Sequence, residues 1–142
     1  MKKTIKYIAL MLVLAIVCLG FTACSNRAAD KDLWDDAVYT ENQEFGNGTK
    51  TISVEVKAEE KSVTFTIKTD KETVGEALSE HKLISGEEGP YGLYIKLVNG
   101  IKADYNENQS YWSFTKGGEY MSTGVDVTKI TDGEHYELVY TK

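Results

Sequence analysis

Two cysteines, two histidines and one proline are all that the 142 residues hold of these types. So few cysteines exclude a disulfide framework, and so few prolines exclude a collagen-like chain. Positive charge is also in deficit: 16 Lys+Arg stand against 22 Asp+Glu, a formal net charge of −6. Phosphate binding needs a basic face, so nucleic acid is not the expected partner. The motifs of common catalytic centres are missing as well. There is no G-x-S-x-G elbow, no H-E-x-x-H pair and no Walker loop, and nothing singles out one carboxylate pair for acid–base work. His81 on a helical pattern and His135 at the start of a strand read as surface or half-buried side chains. No residue is assigned a catalytic or metal-binding role, and no enzyme is expected.

Long apolar runs are equally scarce. One charge-free stretch covers residues 7–21, preceded by Lys2, Lys3 and Lys6. A membrane-spanning helix needs about 20 apolar residues, so this stretch reads as the apolar region of a secretory signal peptide. It ends in Phe21-Thr22-Ala23-Cys24, which resembles a bacterial lipoprotein processing site. Residues 1–23 are therefore expected to be a lipoprotein signal peptide, with a diacylglycerol on the Cys24 thiol. Cleavage would remove Cys18 and three lysines, leaving a more acidic chain without a disulfide. The expected location is the extracytoplasmic face of the cell membrane, held there by the lipid.

Residues 24–47 are polar and acidic, and they read as a lipidated tether whose second half packs along the domain through Trp34 and Tyr39. Residues 48–142 form the expected domain. Ile52, Val54 and Val56 alternate with polar residues, as do Val63, Phe65 and Ile67, so the two runs predict a hairpin. Thr73-Val74-Gly75-Glu76 has the capping-box pattern, and Val74, Ala77, Leu78 and His81 share a face of a helix of about ten residues. Leu93, Ile95 and Leu97 mark another strand, which stops at Asn99-Gly100, a type I′ turn signal. Tyr111 to Thr115 and Tyr136 to Tyr140 complete the set. The expected class is α+β: a β-grasp-like mixed sheet with one short helix, following the signal peptide and tether. Asp104-Tyr105-Asn106-Glu107-Asn108 opens like a calcium loop, but Gln109 stands where glycine is required, so it reads as a polar inter-strand loop.

Aromatic residues carry the functional signal. Five of them lie between Tyr105 and Tyr120, with Trp112 and Phe114 on one strand face and Tyr111 on the other. The inward pair suits a core, whereas the outer tyrosines with nearby Gly, Asn and Ser suit a platform for a flat, partly apolar ligand. Thr73-Val74-Gly75-Glu76-Ala77-Leu78, Tyr91-Gly92-Leu93-Tyr94-Ile95, Val98-Asn99-Gly100-Ile101, Tyr111-Trp112-Ser113-Phe114, Thr123-Gly124-Val125-Asp126 and Asp132-Gly133 through Tyr140 resemble, in that order, the transcobalamin-like C-terminal domain family. In the animal cobalamin carriers of that family the small β-domain closes over a cobalamin held against a large helical barrel. No such barrel is present in this sequence, so the chain would supply half of the site. The resemblance implies that Asn99, Gly100, Tyr111, Trp112, Gly117, Tyr120 and Gly124 border the ligand side. It implies a binding module that captures a corrinoid or similar ligand for uptake through a membrane importer, with cobalamin as ligand rather than cofactor. The alternative is a cell-surface protein–protein interaction domain with no small-molecule ligand.

Overall fold

In the computed structural model, residues 31–142 are described. The period-2 alternation of Ile52, Val54 and Val56 places these side chains on one face of β2 (Lys50–Ala58), and Val63, Phe65 and Ile67 do the same on β3 (Lys61–Thr69). The two strands pair antiparallel, with Val54 opposite Phe65 and Val56 opposite Val63. Burying these β-branched and aromatic side chains removes apolar surface from water and contributes to the drive to fold.

The remaining strands build on that hairpin. β9 (His135–Thr141) runs parallel to β2, so Tyr136 and Leu138 continue the buried face. β7 (Tyr111–Lys116) pairs antiparallel with β9, and β8 (Glu119–Tyr120) adds a two-residue edge. β1 (Gln43–Gly46) closes the opposite edge, parallel to β3. The mixed sheet has the order β1-β3-β2-β9-β7-β8. Helix α1 (Val74–Glu80) buries Val74, Ala77 and Leu78. Its start is fixed by the expected capping box: Thr73 Oγ1 accepts from the Glu76 N–H at 3.3 Å, while Glu76 Oε2 accepts from the Thr73 N–H at 3.1 Å. His81 follows as the C-cap and stacks on Phe45 at 5.0 Å.

Three features depart from the sequence expectation. First, β4 (Ile84–Gly89), β5 (Gly92–Val98) and β6 (Ile101–Lys102) form a separate three-stranded sheet rather than extending the mixed one. Second, the expected loop after Asp104 is a helical turn, α2 (Tyr105–Asn108), because the Asp104 side chain accepts from the Asn106 N–H at 3.0 Å and Gln109 ends the turn at φ 62°. Third, the second half of the expected tether packs along the domain as expected, but it also contributes a strand, β1, to the mixed sheet. Trp34, in a 3-10 turn (Leu33–Asp36), is 7% exposed and donates its Nε1–H to the Ala58 carbonyl at 3.0 Å. Asn99 bonds the Tyr39 backbone and β1 joins the sheet. A segment with no apolar period is thus held by two aromatic anchors and by backbone pairing. The signal-peptide boundary and Cys24 lie outside the described residues.

Candidate functional site

The site begins with an incomplete edge. β8 covers only Thr115 and Lys116 of β7, and the Met121 N–H then donates to the Phe114 carbonyl at 3.0 Å. After that the chain turns away. Strand alternation places the Trp112 backbone N–H and C=O on this same open side. Across the gap, β5 of the second sheet presents Leu93, Tyr94 and Ile95. Between the two lies an open cleft of about 350 Å³ whose far wall is formed by residues 120–125.

Aromatic packing gives the cleft its floor. Trp112 is held by its Nε1–H, donated to the Ile101 carbonyl at 3.2 Å, and by an edge contact with Tyr140 at 5.6 Å. Phe114 stacks on Tyr136 at 5.5 Å. Both rings are therefore fixed before any ligand arrives, which lowers the ordering cost of binding. Tyr91 and Tyr120 stand on the rim, 97% and 70% exposed. The Tyr111 phenol is held above its ordinary value of 10, chiefly by its hydrogen bond with Tyr120 and also by burial. Burial, followed by the neighbouring Glu134 carboxylate, pushes the Tyr136 phenol up strongly, so it is neutral behind the floor.

Of the residues expected at the site, Tyr111, Trp112, Tyr120 and Gly124 line this cleft. The others are placed elsewhere. Gly117, at φ 61°, sits in the β7–β8 turn with open space around it. Asn99 is 1% exposed and is occupied with the Tyr39 backbone. At Gly100 a Cβ would lie 2.2 Å from the Asp36 carbonyl, so glycine is needed for close packing there. Tyr91, Leu93, Tyr94, Ile95, Phe114 and Val125 also line the cleft and were not among the residues expected there. A signal for the first four was the motif Tyr91-Gly92-Leu93-Tyr94-Ile95, which the family resemblance singled out without assigning it to the ligand side.

A larger hollow of about 470 Å³ lies between Gly46, Gly48, residues 68–71, Glu80 and His81. On its rim Lys71 pairs with Glu80 at 3.7 Å and Lys50 donates to the Lys71 carbonyl, while His81 Nε2 is buried without a hydrogen-bond partner. It lacks the fixed aromatic floor. On the mixed sheet, Ser53 Oγ lies 2.7 Å from His135 Nδ1, and Nε2 is 3.6 Å from Glu55. The Ser53–His135 contact is exposed to solvent on the sheet surface. The nearly buried Glu137 is kept below its ordinary value, first by the Thr115 hydroxyl, against the effect of burial, and then by the Gly118 N–H. It is a satisfied structural carboxylate. Among the described residues no group of three or more His, Cys, Asp or Glu could hold a metal ion.

Residues 71–142 match the family described as "Domain of unknown function (DUF4430)". The chain belongs to this family, a transcobalamin-like domain family. It is similar to transcobalamin-1 of Homo sapiens, 34% identical over 56 residues that cover 39% of this chain and 13% of that protein. The chain thus spans only a small part of that curated relative. Among solved structures, a candidate metal-binding protein of Ruminococcus gnavus aligns with TM-score 0.62 and 37% identity, covering 66% of this chain and 97% of that one. Haptocorrin in complex with Cbi aligns with TM-score 0.47 and 24% identity, covering 69% of this chain and 27% of that one. These matches indicate no enzyme family.

Proposed function

We propose that this DUF4430 protein is a lipid-anchored extracytoplasmic binding module whose cleft takes one face of a corrinoid or a similarly flat, partly apolar ligand for delivery to a membrane importer. The observation that carries this reading is the preorganised floor of Trp112 and Phe114 beneath the rim tyrosines, between two sheet edges. Stacking supplies contact area there, while the phenols and strand-edge backbone supply orientation. The similarity to transcobalamin-1 motivates the choice of corrinoid. At about 350 Å³ the cleft is near the lower end of the range of about 300–1,000 Å³ for enclosed ligand sites. It encloses one ligand face and leaves the other for a partner. The hairpin, helix and parallel β2–β9 pair support reading the fold as β-grasp-like.

Equilibrium titration of the full chain, purified in detergent, with cobinamide and cobalamin tests the ligand. Absence of binding at high micromolar concentration would sink the corrinoid reading. Labelling by radioactive fatty acid that disappears in Cys24→Ala would support the anchor, and labelling that persists would reject it. The alternative is a protein-interaction surface formed by Tyr91, Tyr94 and Tyr120. The concavity they border favours the small ligand over a flat docking face.

A further inference from the structure

Asp126 stands directly behind the cleft, and its surroundings are unusual. One carboxylate oxygen, Oδ2, accepts from the Leu93 N–H at 3.2 Å, while the other, Oδ1, is buried with no hydrogen-bond partner. The carboxylate occupies space where two side chains would otherwise begin: a Cβ at Gly92 would lie 2.3 Å from Oδ2, and one at Gly124 would lie 2.8 Å from Oδ1. The backbone around Asp126 is fixed from the other side. Gly75 N–H donates to the Val125 carbonyl at 2.7 Å, Val74 N–H donates to the Thr128 carbonyl at 2.9 Å, and a Cβ at Gly75 would come within 2.9 Å of the Asp126 Cα.

The loop of residues 122–126 is therefore docked on the start of α1, and its aspartate reaches across to the open edge of β5. Leu93 N–H has no neighbouring strand to bond on that side, and the carboxylate replaces it. Leu93 belongs to one wall of the cleft, and Gly124 and Val125 belong to the other. We infer that Asp126 is a positioning residue for the cleft: a single side-chain hydrogen bond latches the β5 wall to the helix-anchored loop, and Gly92 and Gly124 are bare so that the latch can close. With Oδ1 unpaired, a single hydrogen bond of Asp126 spans the two walls, beside the apolar packing of Ile95 and Val125 in the core. The latch concerns the geometry of the site proposed above, and its effect on affinity rests on that reading.

Hydrogen exchange on the full chain, comparing the Leu93 amide with the Val54 amide in the central hairpin, tests the latch directly. Asp126→Ala is expected to speed Leu93 exchange by at least about tenfold, the equivalent of one charge-assisted hydrogen bond, with Val54 unchanged. Asp126→Asn keeps an oxygen acceptor of the same shape and should restore protection. Gly124→Ala meets only the carboxylate, so it should open the latch in the wild-type background and be nearly silent in Asp126→Ala. Equal acceleration at Leu93 and Val54, unchanged Leu93 exchange, or additive effects of the two alanines would each overturn the inference. In cobinamide titration, Asp126→Ala should weaken binding while Asp126→Asn retains it. Equal binding by wild type and Asp126→Ala would overturn the latch alone. Absence of wild-type binding would count against the ligand, leaving exchange to judge the latch.

Discussion

Asn99 clamps the backbone of Tyr39 with both ends of its amide: its Oδ1 accepts from the Tyr39 N–H at 2.9 Å, and its Nδ2–H donates to the Tyr39 carbonyl at 2.8 Å. The two residues are 60 positions apart, and the Asn99 carbonyl also accepts from the Val38 N–H. One side chain thus does the work of a short strand, holding the N-terminal segment to the β5–β6 turn. The same residue supplies φ 50° to that turn, a conformation asparagine tolerates better than most residues. Asn99→Ala should destabilise the domain by about 2–4 kcal/mol, because it leaves two polar groups of Tyr39 unpaired and puts alanine in the left-handed region. Asn99→Gly removes the strain but not the lost bonds, so urea melts should place it between wild type and alanine.

The same clamp makes the N-terminal segment part of the cooperative unit. A chain begun at Gly48 would lose β1, the Tyr39 contacts and Trp34, exposing the Phe65 face on which Tyr39 and Phe45 pack at 5.8 Å each. Such a chain should show no cooperative thermal transition, whereas one begun at Lys31 should melt like the intact domain. Trp34→Phe is the milder test. It leaves the Ala58 carbonyl without its donor and should cost about 1–3 kcal/mol in urea melts.

These dependences explain which features could be read from the sequence. The β2–β3 hairpin was legible because burial on one face forces period 2. The α1 start was legible because Thr73 and Glu76 satisfy each other within four residues, and the turn at Asn99-Gly100 because both residues adopt positive φ. β1 was not, since four residues pair in parallel with a strand some twenty positions on. β4 reads Ile-Ser-Gly-Glu-Glu-Gly and carries no alternation, so the second sheet was hidden. At the cleft, Tyr111, Trp112 and Tyr120 stood out as clustered aromatics. Their facing wall at Leu93 and Ile95 resembled ordinary core, because only the meeting of two sheets makes it a wall. Asp126 acts through two glycines that lie far from each other in sequence, which no local pattern records.

The acid side of the stability curve should carry the signature of Glu137. The Thr115 hydroxyl, then the Gly118 N–H, hold its folded-state value below the ordinary 4.5 despite burial. The unfolded chain binds the proton first, so in the window just below pH 4.5 stability rises with pH. The contribution is complete above the unfolded value and is lost as pH falls through the lowered folded value. Glu137→Gln cannot titrate and should flatten this part of the profile. Denaturant melts of both proteins between pH 3 and 6 would measure it, and identical slopes would show that Glu137 plays no part.

Rim tyrosines separate binding from folding. Tyr94 and Tyr120 are 43% and 70% exposed, so replacing either by alanine should change stability by no more than about 0.5 kcal/mol. If they stack on a flat ligand, each replacement should weaken cobinamide binding by about tenfold, the order of one aromatic contact. Tyr120→Phe keeps the ring and removes the phenol that bonds Tyr111. It should leave affinity within about threefold of wild type if stacking dominates, while returning the Tyr111 phenol toward its ordinary value of 10, readable by NMR of the labelled ring. A large affinity loss in Tyr120→Phe would instead assign the work to the phenol pair, and the ligand would then have to carry a polar group at the rim rather than a bare face.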